Sequence, residues 1–304
     1  MMKMGKVVFI ACTNVGRAMI EAIYNSEFLK NVELAGVVNM SPTAAIGKAN
    51  YDSYIDLKEK YGFDLYYCNN VNDDECISFI EKCEPDIIIQ SGWSQKFSDK
   101  VLNIPRYACI GEHPAPLPKG RGAACINWAI ITGEREWGDS FFGMEMTYDT
   151  GLIYSQEMFN IEMYDNVKTV YDKVAQVAVK AIEKNLENWT EGILNGKSQD
   201  DALATHYKRR QPSDGEFDFN QNSIDIYNQI RGQTRPYPGA YFVKMINCQA
   251  KKVYVWDASL QDIFPDASLE IICGDGKAIY LNRIQIEGNT EMWATDAKNI
   301  LLVV

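Results

Sequence analysis

Histidine is almost missing from this chain: His113 and His206 are the only two in 304 residues. Zinc sites built from histidine and cysteine have little to draw on. The eight cysteines are Cys12, Cys68, Cys76, Cys83, Cys109, Cys125, Cys248 and Cys273. They contain no C-x-x-C pair, and several lie in apolar runs where a free thiol packs as a small hydrophobe. The expectation is no metal site. Long apolar runs are missing too, and nothing approaches the roughly 20 apolar residues of a membrane-spanning helix. The first apolar run, Val7–Ala11, is too short for a secretory core and has no cleavage signature after it. It reads as a core strand, and the chain as cytoplasmic with no membrane partner. Positive charge is scarce: 30 Lys and Arg against 41 Asp and Glu leave a net charge of −11. The only basic run is Lys208-Arg209-Arg210. Proteins that grip nucleic acid neutralise many phosphates and show a basic face, so no nucleic-acid partner is expected. A small basic pocket in an acidic chain suits a small anionic ligand. Internal repeats and low-complexity tracts are absent.

What remains is a soluble globular composition, 46% hydrophobic and 23% charged, long enough for one large domain and a smaller one. The first half alternates short apolar strands with helices. Strands are expected at Val7–Ala11, Val32–Asn39, Asp64–Tyr67, Asp86–Gln90 and Tyr107–Ile110, and helices at Gly16–Tyr24, Tyr54–Tyr61, Asp73–Lys82 and Ala123–Ile131. Continuous apolar strands between helices imply an α/β fold with a parallel sheet covered on both faces. Two further strands, Phe141–Tyr148 and Leu152–Ile161, flank a turn, and Asn166–Ile193 carries apolar residues at helical spacing. Composition changes near Gly196. The spacing gives an N-terminal domain over 1–195, a polar linker over 196–214, and a C-terminal domain over 215–304. That last part opens with a helix at Ser223–Arg231. Short strands follow at Ala240–Met245, Lys252–Ser259, Leu269–Cys273 and Ala278–Ile286, the pattern of a small β-barrel or sandwich.

The segment richest in chemistry is Gly111-Glu112-His113-Pro114-Ala115-Pro116-Leu117-Pro118-Lys119-Gly120-Arg121-Gly122. A strand ends at a histidine, a stiff Pro/Gly loop follows, and a helix begins. Ligands of open α/β sheets bind outside the carboxyl ends of the strands, which is where His113 falls. Further on, Tyr148-Asp149-Thr150-Gly151 forms a turn that can set a carboxylate beside that ring. A carboxylate near a histidine orients it and favours its charged form, which lets the pair move protons near neutral pH. A structural histidine and a turn aspartate are the plain alternative.

Taken together, His113, Pro118, Arg121-Gly122, the helix with Ile126-Asn127-Trp128, and Asp149-Thr150-Gly151 resemble the folate-dependent formyltransferases in order and spacing. Val7–Ala11 with Gly16 and Ile20-Glu21-Ala22 is similar to the start of the nucleotide-sugar members, such as those acting on UDP-4-amino-4-deoxy-L-arabinose. Arg209-Arg210-x-Pro212, Phe217-x-Phe219, Arg235–Ala240 and Cys273–Gly276 look like their C-terminal portion. The resemblance implies a Rossmann-like, mostly parallel sheet domain followed by a small OB-like β-barrel. It implies N10-formyltetrahydrofolate as formyl donor, with His113 and Asp149 as catalytic residues. Ser91, Gly92, Trp93, Ser94 and Gln95, with Tyr148, Thr150 and Gly151, would contact the folate. Trp93 is equally readable as core. Acyl transfer to an amine then needs His113 beside the developing oxyanion, with Asp149 orienting or charging the ring; such acid–base help is worth about 10²–10⁴ in rate.

One departure stands out. The family's asparagine, two residues before the histidine, is Gly111 here. Losing one oxyanion donor costs on the order of 10²–10³ in rate. Strand alternation points Glu112 to the other face, so it cannot substitute, whereas a backbone N–H, a water or Asn127 could. The hydrolase domain of formyltetrahydrofolate dehydrogenase also resembles this pattern and also lacks the asparagine, which admits water as acceptor. The methionyl-tRNA members carry a basic insertion after the second strand, but here Met40–Tyr54 holds only Lys48. A nucleotide-linked amino sugar fits better as the small-molecule substrate. Its diphosphate would be met from Arg17, Lys119, Arg121, Arg209, Arg210 and Arg235, with Tyr237 stacking on a base or sugar. Each arginine is also readable as a solvated surface charge. A non-catalytic folate- or nucleotide-binding protein stays open as another class, as does a homodimer formed through the second domain.

Overall fold

The computed structural model describes residues 4–301. In chain order the elements begin with β1 (Gly5–Ala11), α1 (Asn14–Asn25), β2 (Val32–Met40), α2 (Ile55–Tyr61), β3 (Leu65–Cys68), α3 (Asp74–Lys82), β4 (Ile87–Ser91), α4 (Asp99–Leu102) and β5 (Ala108–His113). They continue through β6 (Arg121–Gly122), α5 (Cys125–Ile131), β7 (Glu136–Gly143), β8 (Ile153–Asn160), α6 (Val167–Thr190) and β9 (His206–Tyr207). The remainder is α7 (Ser223–Gln233), β10 (Ala240–Ile246), β11 (Gln249–Ser259), β12 (Leu269–Ile272), β13 (Ala278–Ile286), β14 (Met292–Trp293) and α8 (Lys298–Leu301).

The chain divides into two compact units. The first holds residues 1–122, 136–160 and 171–207, and is built on a seven-stranded sheet in the order β3-β2-β1-β4-β5-β7-β8. Strands β3 to β5 run parallel, whereas β7 is antiparallel to β5 and β8 to β7. β1 and β4 are buried along most of their length, as their unbroken Val-Val-Phe-Ile-Ala and Ile-Ile-Ile-Gln-Ser runs require. The sheet is therefore parallel through its centre and antiparallel at one edge, which alternation of strands and helices alone does not reveal.

Strand β7 starts five residues before the expected Phe141. Its first half, Glu136-Trp137-Gly138-Asp139-Ser140, reads as polar and breaks the apolar pattern, yet from Trp137 onward it is buried. Residues 144–148, expected as the end of that strand, instead belong with the expected turn at 149–151 to the irregular segment before β8. The stretch 196–214 is not featureless either. Short β9 pairs in parallel with β6 through Arg121–His206 and Gly122–Tyr207.

The second unit holds residues 123–135, 161–170 and 208–304. Its sheet is antiparallel, β10-β11-β13-β12 with β14 on β13, a half-open barrel. Its core gathers Phe217, Ile226, Ile230, Val253, Val255, Leu281 and Ile284. α5 packs on α7 inside this unit. Among the described residues no helix is long and apolar enough to cross a membrane, and no group of three or more His, Cys, Asp or Glu is placed to hold a metal.

Candidate active site

β5 carries His113 to the carboxyl edge of the sheet. Residues 111 and 113 share one face of the strand, and Phe142 and Ser140 of β7 stand opposite them. His113 is buried, and its Nε2 lies 2.8 Å from the carbonyl oxygen of Gly120. A carbonyl only accepts, so Nε2 carries a hydrogen and Nδ1 of the neutral ring keeps the lone pair. Among the described residues Nδ1 has no hydrogen-bond partner, which leaves it as the nitrogen that can take up and return a proton.

The loop after His113 is held from β7 and β8. Ser140 Oγ donates to the Ala115 carbonyl at 2.6 Å and accepts from the Leu117 amide at 3.1 Å. Gln156 Nε2 donates to the Leu117 carbonyl and to Ser140 Oγ, both at 2.9 Å, and Trp137 Nε1 donates to the Pro114 carbonyl at 2.8 Å. The loop therefore has little freedom to move the ring. At its far end Gly122 has φ +99°, and a Cβ there would lie 2.3 Å from the Tyr207 carbonyl oxygen, so the β6–β9 pairing needs glycine.

Asp149 stands half-buried on the turn before β8 with φ 57°, a left-handed conformation that Asp and Asn tolerate better than most residues. Its Oδ2 accepts the Gly122 amide at 2.9 Å. Gln199 Nε2 donates to the carbonyls of Asp149 at 2.9 Å and Gly151 at 2.8 Å. Its Oε1 in turn accepts from Arg121 Nε and Nη2 at 3.1 and 2.7 Å. The segment 120–122 thus meets His113 at one end and Asp149 at the other, and Thr205 fixes it by accepting the Gly120 amide at Oγ1 (2.8 Å) and the Arg121 amide at its carbonyl (2.9 Å). Neither Gln199 nor Thr205 is legible locally, because both lie in a polar stretch that reads as linker.

The space beside Gly111 is filled. A Cβ at that position would lie 2.8 Å from Phe142 Cε1 and 3.2 Å from Met144 Cγ. An aromatic ring occupies the room an asparagine side chain would need. Asn127 is not a replacement available without cost, since its amide donates to the Gly232 carbonyl at 2.7 Å within the second unit. Glu112 points to the opposite face, where its Oε2 accepts from Ser91 Oγ at 2.6 Å.

The expected folate loop is turned largely into the fold. Ser91 is fully buried, Gly92 has φ +63°, and Trp93 belongs to the core of the first unit. Trp93 Nε1 donates to Gln95 Oε1 at 3.2 Å, and Gln95 also spans to Val71 N and the Asn69 carbonyl. Ser94 is exposed. Tyr148 is 67% exposed, with Lys96 Nζ 5.7 Å from its ring centre, and the Thr150 hydroxyl meets that of Thr147.

Most of the basic set already has partners. Arg17 binds Asp52 and Asp56 through two forked contacts, and these two hydrogen-bonded carboxylates hold its guanidinium even more firmly charged than usual. Arg121 is 5% exposed and bonds Gln199 and Asp201, the latter at 2.7 Å. Lys119 lies over Trp137. In the second unit Arg210 donates to the Asp214 carbonyl and stacks on Trp128, while Arg235 binds Glu291 and stacks on Trp256 at 3.9 Å. Burial pushes the Arg210 guanidinium below its ordinary value. Arg209 is exposed and Tyr237 half-buried.

The formyl transferase family matches residues 5–186, and the formyl transferase C-terminal domain matches residues 210–301. The methionyl-tRNA formyltransferase of Geotalea uraniireducens is 30% identical over 247 residues, 79% of this chain and 78% of that protein. The bifunctional polymyxin resistance protein ArnA of Wigglesworthia glossinidia brevipalpis is 31% identical over 201 residues, 66% of this chain but only 30% of that larger protein. Among solved structures, HypX from Aquifex aeolicus in complex with tetrahydrofolic acid has a TM-score of 0.66 at 17% identity, covering 97% of this chain and 47% of HypX. WlaRD, a sugar 3N-formyl transferase crystallised in the presence of dTDP and 5-N-formyl-THF, has a TM-score of 0.65 at 16% identity, covering 94% and 99%. At these identities the solved structures speak to the fold.

Proposed function

The chain belongs to the formyl transferase family, and from that membership we propose that it moves a formyl group from N10-formyltetrahydrofolate to the amine of a nucleotide-linked amino sugar. The observation that carries the reading is the shared segment 120–122, which ties the His113 ring and the Asp149 carboxylate into one braced constellation. The folate supplies the formyl group as an activated amide. The residues here fit that group at its reactive end: a buried imidazole with Nδ1 unpartnered, beside a half-exposed acidic turn.

In transfer to an amine, the attacking nitrogen must lose a proton and the departing nitrogen must gain one. His113 Nδ1 is the group that can hold that proton, because Nε2 is fixed on Gly120. Asp149, oriented by the Gly122 amide and by Gln199, favours the charged ring or takes the amine proton through water. The oxyanion donor is not a side chain at position 111, where Phe142 fills the space.

The choice of a sugar over tRNA rests on charge. With a net charge of −11 and a single lysine in Met40–Tyr54, the chain lacks the basic surface a tRNA stem demands. Asp52 within that segment and Asp56 just after it neutralise Arg17 as well. Relatives of both kinds exist, and WlaRD is named as a sugar 3N-formyl transferase.

The test is tetrahydrofolate release from N10-formyltetrahydrofolate, with buffer alone, with UDP- and dTDP-linked 3-amino and 4-amino sugars, and with methionyl-tRNA. Release that depends on one amino sugar is the expected result. Release with no amine would assign a hydrolase, and release with methionyl-tRNA alone would overturn the sugar reading.

A further inference from the structure

The reaction above makes no use of Phe217-x-Phe219 in the second unit. Acid and aromatic side chains alternate there: Glu216, Phe217, Asp218, Phe219. The Phe217 amide donates to the Tyr241 carbonyl at 2.9 Å and sets this segment against the edge strand β10. The chain then turns away. The Asn220 amide donates to Asp218 Oδ1 at 2.8 Å, and the Gln221 amide to the Asp218 carbonyl at 3.0 Å. Where the segment leaves β10 a cavity of about 450 Å³ opens, with Glu216, Phe217, Asp218, Phe219 and Phe242 in its walls. That is the size of a small-molecule site. Phe217 is sealed in the core, whereas Phe219 and Phe242 are half-buried. The three rings meet at steep angles: 5.4 Å and 90° for Phe217 with Phe219, 5.0 Å and 62° for Phe219 with Phe242, 5.8 Å and 59° for Phe217 with Phe242. Rings so arranged do not stack away each other's faces, and a ring face attracts a cation.

The rim is acidic, and both Glu216 and Asp218 are exposed. Glu216 Oε2 has only a long contact from the Tyr241 hydroxyl, at 3.4 Å. Among the described residues no Lys or Arg pairs with either carboxylate or lies over any of the three rings. The same unit shows what rings and carboxylates together hold. Arg235 lies 3.9 Å from the Trp256 ring centre and bonds Glu291 at 2.6 Å. Arg283 lies 4.8 Å from the Trp293 ring centre and bonds the same carboxylate at 2.8 Å. In both, a planar guanidinium stacks on a ring while its N–H groups meet an acid, which is the geometry that group favours. The cavity presents rings and acids to which the chain brings no guanidinium of its own. We infer that it binds a free small molecule carrying a guanidinium group, stacked on Phe219 or Phe242 with its N–H groups on Glu216 and Asp218. A primary ammonium fits less well, being a strongly hydrated point charge with no flat face to stack. A basic polypeptide is opposed further along β10, where Lys244 stands beside Lys251 in register and edge lysines resist an added strand.

The test titrates the full chain, labelled with 13C in its phenylalanine rings, with agmatine and reads the ring signals by NMR; it does not depend on turnover. Agmatine should shift the Phe219 and Phe242 signals and saturate below about 10 mM. N-carbamoylputrescine, in which a neutral urea replaces the guanidinium, should bind at least about ten-fold more weakly. Phe219→Leu keeps the bulk but removes the ring face, and should weaken agmatine about five-fold. Glu216→Gln/Asp218→Asn should weaken it about ten-fold with a parental melting temperature, since both acids are exposed. Should Phe219→Leu not fold, the acid variant decides alone. Four results would overturn the proposal: no saturation by agmatine, equal binding of the urea analogue, undiminished binding in the acid variant, or binding of a blocked Ala-Arg-Ala peptide where agmatine does not bind.

Discussion

Asp149 and Asp139 belong to the same unit and stand in opposite environments. Asp149 sits on a half-exposed turn, where one oxygen takes the Gly122 amide and its backbone is held by Gln199. Asp139 is sealed in a strand, and neither of its oxygens meets a hydrogen-bond donor. One environment supplies donors and access, so the carboxylate can take part in proton movement at the loop. The other supplies neither, so burial favours the protonated form of the acid. The difference teaches that role is set by which hydrogen bonds the fold offers, not by residue type.

The contrast is tested first at the histidine that shares its loop with Asp149. His113→Ala should lower the transfer rate by about 10²–10⁴-fold while formyl-folate binding, followed by fluorescence quenching, persists. Full activity would remove His113 and Asp149 from the chemistry. Asp149→Asn keeps an oxygen for the Gly122 amide and tolerates the left-handed backbone, so it isolates the charge. Its rate should fall by about 10²-fold with an unchanged melting temperature. A parental rate in that variant would make Asp149 a turn residue only.

Smaller effects sharpen the picture. Gln199→Ala leaves the Asp149 and Gly151 carbonyls without their donor, and should cost about 1–3 kcal/mol in denaturant unfolding together with a lower kcat. Gly111→Asn forces a side chain into the Phe142 ring, and should destabilise by about 1–3 kcal/mol without a gain in rate. Adding Phe142→Ala should recover part of that loss by removing the ring. A separate effect is in pH, from Glu112 and Asp139, both of which burial pushes upward. Above the ordinary carboxylate range the native state keeps a proton that the unfolded chain has released, so stability falls as pH rises there, by about 1.4 kcal/mol per unit for one proton. Below that range both states are protonated and the dependence from this pair ends. Melts of Glu112→Gln/Asp139→Asn across pH 4–8 should lack this slope, and a retained slope would assign it elsewhere.

Much of the fold, and the positions of the strand end at His113 and the turn at Asp149, were legible in the sequence. A strand ending at His113, followed by prolines and glycines, marks a sheet's carboxyl edge, and Asp149-Thr150-Gly151 marks a turn. What was hidden depends on long-range partners. Gln199 and Thr205 sit in a polar stretch whose value appears only when β6 pairs with β9. Buried Asp139 and Ser140 disguise the start of β7: Ser140 is satisfied by the backbone of Ala115 and Leu117, far away in the chain, and Asp139 is sealed in without a hydrogen-bond donor. The arginines were visible as charges, but a sequence does not say that Asp52 and Asp56 fold against Arg17, or that Gln199 and Asp201 enclose Arg121.

The most direct measurement follows a 13C-formyl label by NMR in a single turnover with the amino sugar identified by the release assay. The account predicts that the label moves from the folate into a sugar formamide with the parent protein, and stays on the folate with His113→Ala. Transfer at the parental rate by His113→Ala, or label appearing only as free formate, would contradict it.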